Sequence, residues 1–469
     1  MPVTEQSNTM TQGAIWKTIT CFALPIFLGN LFQQLYNTVD SLIVGNFLGS
    51  NALAAVSSSG SLIFLFIGFL SGLAIGAGVV IAKFFGARDT ANMSLAIHTT
   101  VAVGLVASVL MTAVGVIFSP HILIWMDTPP EVMADSVTYL RIYFAGSAGA
   151  VMYNILVGIL QAVGDSRHPL YYLMASSAVN LVLDLLFIGV FHTGVGGAAV
   201  ATILSQFVSA GLCLLQLTCT RQSWRIQLRR VRFYRPVLGQ ILRFGLPAGL
   251  QNSIISFANV VVQSNINAFG EMAMAGCGAY SKIEGFGFLP ITSFAMALTT
   301  FVGQNLGAGE YERVKKGARF GVLSAVVLAE LIGAVVFIFA PALIAAFDST
   351  PEVIRFGVEK SRTAGLFFFL LAYSHSMAAI LRGAGKAVIP MVVMLVYWCI
   401  VRVTFLTITV PLTQSIQMVY WVYPLTWLLS SVTFFLYSRK ADWLHSREYP
   451  SQHKKKRRGR TESLRPGDF

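Results

Sequence analysis

Apolar residues run through this chain in long, nearly unbroken stretches rather than in the one-sided stripes of soluble helices. Twelve stretches reach or exceed the ~20 residues that cross a bilayer as a helix. They fall at 15 to 45, 52 to 82, 92 to 118, 134 to 163, 168 to 191, 195 to 218, 239 to 268, 273 to 303, 317 to 339, 355 to 384, 387 to 411 and 416 to 438. Their length, with no period-two alternation of apolar and polar residues, excludes a transmembrane β-barrel. The pattern predicts an all-α integral membrane protein of twelve transmembrane helices.

Composition excludes the alternatives. Charged residues are 11% of the 469 residues where a soluble domain has roughly 25%. Hydrophobic residues reach 55%, and the mean hydropathy is +0.69. The formal net charge of +13 is concentrated in a few segments between spans. Lys83 and Arg88 follow the second span, Arg167 the fourth, six arginines from Arg221 to Arg235 the sixth, and Arg313, Lys315, Lys316 and Arg319 the eighth. Arg382 and Lys386 follow the tenth, and a KKKRR run occupies 454 to 458. The opposite loops, at 46 to 51, 119 to 133, 192 to 194, 269 to 272, 340 to 354 and 412 to 415, contain no Lys or Arg. This asymmetry sets membrane orientation and argues against a nucleic-acid partner; both termini are expected in the cytoplasm, with the basic tail against an anionic inner leaflet. The polar start lacks the features of a signal peptide, so insertion is expected to rely on the spans. Cys21, Cys213, Cys219, Cys277 and Cys399 form no CxxC pair or zinc spacing and read as packing residues.

The sequence also aligns with itself at an offset of 221 to 222 residues. Phe22-Ala-Leu-Pro25 matches Phe244-Gly-Leu-Pro247, and Asn30 and Asn37 match Asn252 and Asn259. Gly86-Ala87 matches Gly307-Ala308, Asp127 to Val132 match Asp348 to Val353, and Gly164 and Pro169 match Gly385 and Pro390. Each repeat holds six spans, an even number, so the two enter the membrane from the same side as parallel repeats. Two six-helix lobes facing a central cleft are expected. The N-lobe is residues 15 to 218 and the C-lobe 239 to 438, with a basic linker at 219 to 238, a cytoplasmic start at 1 to 14 and a basic tail at 439 to 469. Thr128-x-x-Glu131 and Ser349-x-x-Glu352 read as capping boxes opening the fourth and tenth spans, with proline in the first turn. The GLAIGAGVV run at 72 to 80 lies inside a span with no preceding strand, so close helix packing explains it better than phosphate binding.

Ionisable groups inside spans cost roughly 2.5 to 3.5 kcal/mol each, which makes Asp40, Asp184, Lys282, Glu284, Glu330 and Arg402 functional candidates. The first span carries Asn30, Gln33, Gln34, Asn37, Asp40 and Ser41 on one face, and the seventh repeats this with Asn252, Ser256, Asn259, Gln263 and Asn267. Both stripes are expected to line the hydrated cleft, with Tyr36, Tyr280, Lys282 and Glu284 among its lining residues. In the fifth span Asn180 and Asp184 share a face, at a depth similar to Asp40 in the first span and Thr202 in the sixth. Two close carboxylates in a low-dielectric setting cannot both stay ionised cheaply, so Asp40 and Asp184 are candidates to bind a proton or share a cation such as sodium. The C-lobe differs: Val261 or Val262 stands opposite Asp40, and Val401 and Phe405 stand opposite Asn180 and Asp184. Glu330 and Arg402 are read equally as a salt bridge between helices or as substrate contacts.

At this point the chain resembles a known family. The two six-helix repeats, Leu24-Pro25, the Gln33-x-x-Tyr36-Asn37-x-x-Asp40 stripe, the Gly164-Asp165-x-x-x-Pro169 turn with its echo Gly385-Lys386-x-x-x-Pro390, and the Asn180-x-x-x-Asp184 pair are similar to the multidrug and toxic compound extrusion (MATE) transporters. The bacterial branch related to MepA and DinF fits best, over about residues 15 to 438. The resemblance implies a bacterial plasma-membrane transporter and not an enzyme. It implies export of lipophilic organic cations by antiport with protons or sodium, without a cofactor, by a monomer. It also implies an N-lobe coupling site at Asp40, Asn180, Asp184 and Thr202, and a first-helix bend at Pro25. Where some sodium-coupled members carry carboxylates, this chain has Gln263 or Asn267 in the seventh span and Tyr373, Ser374 and His375 in the tenth, which speaks against a second cation site in the C-lobe. Two other readings compete: a flippase for a lipid-linked saccharide, whose cleft should be strongly basic, and a membrane-embedded aspartyl protease using Asp40 and Asp184. The first finds only Lys282 and Arg402, and the second leaves the duplication unexplained.

Overall fold

The computed structural model describes residues 10–126 and 128–444. Asp127, the first nine residues and the KKKRR run of the tail therefore lie outside the described residues. The N-terminal repeat is built from α1 (Ile15–Leu48), α2 (Ser50–Gly86), α3 (Thr90–Trp125), α4 (Pro130–Ala145), α5 (Ala148–Ala162), α6 (Arg167–Asp184) and α7 (Gly194–Cys219). The C-terminal repeat consists of α8 (Arg235–Asn267), α9 (Glu271–Ala308), α10 (Tyr311–Ala345), α11 (Pro351–Gly365), α12 (Phe368–Gly383), α13 (Val388–Met394), α14 (Arg402–Thr413) and α15 (Gln417–Lys440). π-helical turns extend α6 through Leu185–Val190 and join α13 to α14 through Leu395–Val401.

These elements reproduce the twelve expected spans. Among the described residues nine are single apolar spans, and two more are bent pairs, α4 with α5 at 48° and α11 with α12 at 54°. The twelfth is α8, whose 33 residues span about 50 Å but whose polar stripe dilutes its apolar character. The two bends stand at equivalent places in the repeat. In the N-lobe Gly146 leaves room for the Ile203 side chain, which any Cβ there would strike. In the C-lobe Glu330 accepts a hydrogen bond from the Phe369 N–H at 3.2 Å, placing a carboxylate at the start of α12 where exposed N–H groups favour negative charge. Glu330 therefore stands apart from Arg402, and no salt bridge joins them.

The expected capping boxes do not form. Helix α4 begins one residue late, with Pro129 at the N-cap and Pro130 first, and Pro129 has no side-chain acceptor. In α11 the N-cap is Thr350, so Glu352 falls one position short of the box register; the Thr350 N–H instead donates to Asp348 Oδ1 at 2.8 Å. The prolines hold the first-turn positions expected of them.

Two cores anchor the halves, and each lobe's first helix starts in the core of the other. Ile19, Phe22, Ala23 and Ile26 of α1 join the core of α9 and α10, while Val237, Ile241 and Phe244 of α8 join that of α2 and α3. The glycines of 72 to 80 explain how backbones come close enough for this exchange. A Cβ on Gly72 would overlap the Gly249 backbone, and one on Gly76 the Gly245 backbone. At the ends of α2 and α9, Gly86 meets the Gln304 carbonyl and Gly307 meets the Lys83 carbonyl just as closely. Midway, Asn252 donates to the Gly68 carbonyl at 3.0 Å. Beyond that level a Cβ on Gly60, Gly278 or Gly285 meets nothing within 4 Å. The lobes are thus closed together at the end bearing Lys83 and Gly307, and apart at the other.

A polar knot seals the closed end. Gln304 donates to the Ala162 carbonyl of the N-lobe at 2.8 Å and accepts from the Met10 N–H at 2.9 Å. Asn305 donates to the Met10 carbonyl at 3.2 Å. Gln304 and Asn305 are fully buried and Met10 nearly so.

Candidate functional site

Helix α1 presents two exposed faces of opposite character. Leu35, Val39 and Leu42 form an apolar face suited to lipid. Gln33 and Asn37 lie on the other side of the helix and are also exposed. A polar face open to solvent on a membrane helix requires a hydrated cleft, as the sequence stripe implied. On α8 Asn259 and Gln263 are likewise exposed, and Gln263 donates to Asn267 Oδ1 at 2.8 Å one turn on.

Inward of that face α1 delivers Asp40 to Asp184 of α6. The two carboxyl groups are close enough to interact directly, and the Asn180 amide, one turn before Asp184, reaches the same carboxyl. None of these approaches completes a full hydrogen bond. Asp40 Oδ1, both Asp184 oxygens and Asn180 Nδ2 are buried without a partner among the described residues. Asp184 and Asn180 are inaccessible, while Asp40 is half-buried. Two facing carboxylates offer only acceptors, so the arrangement can hold one proton between oxygens or one small cation, and is costly as two bare charges. Among the described residues no three His, Cys, Asp or Glu side chains are placed to hold a metal ion together, so an ion here is limited to the two carboxylates and neutral oxygens.

Tyr36 and Thr202 sit within the N-lobe, and Tyr280, also expected in the cleft lining, is buried in the C-lobe. Tyr36 was read as cleft lining, but its ring turns into the N-lobe, facing both carboxyls and the Gln206 side chain. The cause is helical phase: Tyr36 and Asp40 are one turn apart. Thr202 is buried on α7 and its hydroxyl back-bonds to the Ala198 carbonyl at 3.0 Å. The tyrosine facing the carboxyl pair from α4 is Tyr139, stacked on Tyr143 with ring centroids 6.4 Å apart. Tyr139 and Gln206 were missed in the sequence; their signal was a polar group inside a span at the depth of Asp184. Pro25 is buried within a continuous α1, where it removes one backbone hydrogen bond.

A second polar pocket lies in the C-lobe. Arg402, at the start of α14, is 1% exposed and donates to Thr426 Oγ1 at 3.1 Å and Asn259 Oδ1 at 3.4 Å. Its guanidinium lies 4.6 Å from the Tyr423 ring centroid and 5.4 Å from that of Trp398. Lys360 of α11, 3% exposed, has its ammonium between the rings of Tyr280 at 5.1 Å and Tyr423 at 5.6 Å. Glu284 is half-buried in the field of both cations, with the Tyr280 hydroxyl turned toward it but not fully bonded. Lys282 is exposed on the other side of α9 and stands apart from this pocket, as its two-residue spacing from Glu284 implied. Lys360 was missed because it follows the span boundary by only a few residues and reads as flanking charge.

Comparison with known proteins places this architecture. The chain matches the MatE family over residues 25–186 and again over 247–408, two segments whose first and last residues are each 222 apart. It is 30% identical to the probable multidrug resistance protein YpnP of Bacillus subtilis, with 84% of this chain and 88% of that protein covered. It is 28% identical to the probable multidrug resistance protein NorM of Thermotoga maritima, over 81% and 82% of the two chains. The multidrug export protein MepA of Staphylococcus aureus is 23% identical over 73% and 74%. Among solved structures, a MOP superfamily transporter from Pyrococcus furiosus superposes with a TM-score of 0.87 at 26% identity, covering 93% of this chain and 98% of that one. A multidrug resistance MATE transporter in an outward-facing conformation gives 0.86 at 26% identity with the same coverage. The chain belongs to the MatE family and is a multi-pass membrane transporter, not an enzyme.

Proposed function

We propose that this protein is a multidrug efflux transporter that exports lipophilic organic cations in exchange for protons by alternating access. It acts from the bacterial plasma membrane with both termini in the cytoplasm. The observation that carries the coupling is the Asp40 and Asp184 pair, a half-buried and a fully buried carboxyl group facing each other without a completed hydrogen bond. The relatives named for multidrug resistance and export support the substrate class, as does a cleft that presents amide oxygens with a carboxyl group beside them.

The positive-inside rule assigns the closed end, with Lys83, Arg88 and Arg313, to the cytoplasm, so the conformation described is the outward-facing one. In that state a proton arriving from outside reaches the carboxyl pair along the hydrated face of α1. Protonation removes the charge that attracts a cation and lets Asp40 and Asp184 share a hydrogen bond, which draws α1 toward α6. The organic cation loses its counter-charge and leaves outward. Pro25 supplies the flexible point about which α1 responds.

Reconstitution into liposomes tests the reading. An imposed pH gradient should drive uptake of ethidium into inverted vesicles, and removing sodium should leave it intact. Transport that responds only to a sodium gradient would replace the proton by sodium at the same carboxylates; no transport of any cationic dye would remove the substrate class.

A further inference from the structure

The C-lobe pocket is the repeat image of the N-lobe carboxyl pocket with its charge inverted. At the 221 to 222 offset, Asn37 corresponds to Asn259, Tyr139 to Lys360, and Thr202 to Tyr423; at 222, Asn180 corresponds to Arg402. Both ends of the family match sit at 222, and Arg402 reaches Asn259, the counterpart of Asn37. The gene duplication has thus left two pockets at equivalent depth, one lined by Asp40 and Asp184, the other by Lys360 and Arg402.

Two buried cations face a single carboxylate, Glu284, so the C-lobe pocket carries one positive charge in excess. Burying a cation costs several kcal/mol unless an anion or oriented acceptors replace its hydration. Here the replacement is partial. Lys360 rests between aromatic rings with no carboxylate within ion-pair range, and Arg402 Nε has no acceptor among the described residues. The pocket reaches the cleft through Asn259, which is exposed on the polar face of α8 and bonded to Arg402. A guanidinium and an ammonium that both lie against the Tyr423 ring, with their hydration only partly replaced, form a receptor for a carboxylate or similar oxyanion.

We infer that the C-lobe pocket binds the anionic group of the substrate, so that the transporter accepts zwitterionic compounds whose cationic end faces the N-lobe carboxyls and whose acidic end is held by Lys360 and Arg402. This rests on the export reading above and narrows its substrate class. It also gives Glu284 a role: the carboxylate occupies the cations when no substrate acid is present, and competes with it.

Two dyes with one ring system separate the possibilities. Rhodamine 110 carries a free carboxylate, and rhodamine 123 is its methyl ester and purely cationic. Binding to the purified full-length protein in detergent, followed by fluorescence polarisation, should show Arg402→Gln and Lys360→Met each weakening rhodamine 110 by about tenfold or more while changing rhodamine 123 much less. Glu284→Gln should act in the opposite direction and tighten rhodamine 110, which keeps the test sharp if either cation variant fails to fold. If the cation variants weaken both dyes alike, or Glu284→Gln fails to favour rhodamine 110, the anion pocket is wrong while the export reading stands. If wild type binds neither dye, both fall together.

Discussion

Arg313 holds the Met10 carbonyl through two of its guanidinium nitrogens, each at 3.2 Å, across 303 residues of sequence. It also donates to the Gln12 carbonyl at 2.8 Å and the Gly13 carbonyl at 2.7 Å, so the segment entering α1 is tied to the other lobe before the helix begins. Opening the closed end requires these bonds to break. Arg313→Ala should therefore favour the opened state. On a cysteine-free background, a cysteine replacing buried Met10 should be labelled severalfold faster when Arg313 is also Ala. Unchanged labelling would show that the tie does not hold the lobes shut.

The glycine contacts between α2 and α8 make a stability prediction. Gly76→Ala places a methyl group into the Gly245 backbone and should cost about 1–3 kcal/mol through overpacking. Gly278→Ala meets nothing within 4 Å and should leave stability unchanged. Thermal unfolding in detergent checks both; equal effects would mean the lobes do not press together where Gly76 and Gly245 meet.

Orientation is tested with single cysteines. Replacements at Asp348 and Thr413 should react with an impermeant reagent from outside intact cells, and those at Arg88 and Arg230 should not. The reverse pattern would invert the molecule and make the conformation described inward-facing.

The sequence made the spans and the repeat legible because each rests on a strong periodic or compositional signal. Apolar length fixes a span, and Pro25 with Pro247 or Gly164 with Gly385 fixes the register between halves. The carboxyl pair was legible because intramembrane Asp is rare enough to stand out. What was not legible depends on contacts across the fold. Tyr139 looks like any aromatic residue in a span until α4 turns it toward Asp184. Lys360 looks like a surface charge until the bend after Gly365 buries it against Tyr280. The capping boxes failed by a single residue: Pro130 and Pro351 open the two helices, and before α11 Asp348 takes the Thr350 N–H. The π-helical turns beside Asp184 and Arg402 left no mark in the sequence at all.

The most direct measurement compares wild type, Asp40→Asn and Asp184→Asn in proteoliposomes under an imposed pH gradient, reading ethidium transport with protein folding checked by size-exclusion chromatography. Both variants should fold, since an amide removes a buried charge and keeps the shape, and both should lose gradient-driven transport. Full transport by well-folded Asp184→Asn would contradict the coupling role of the pair.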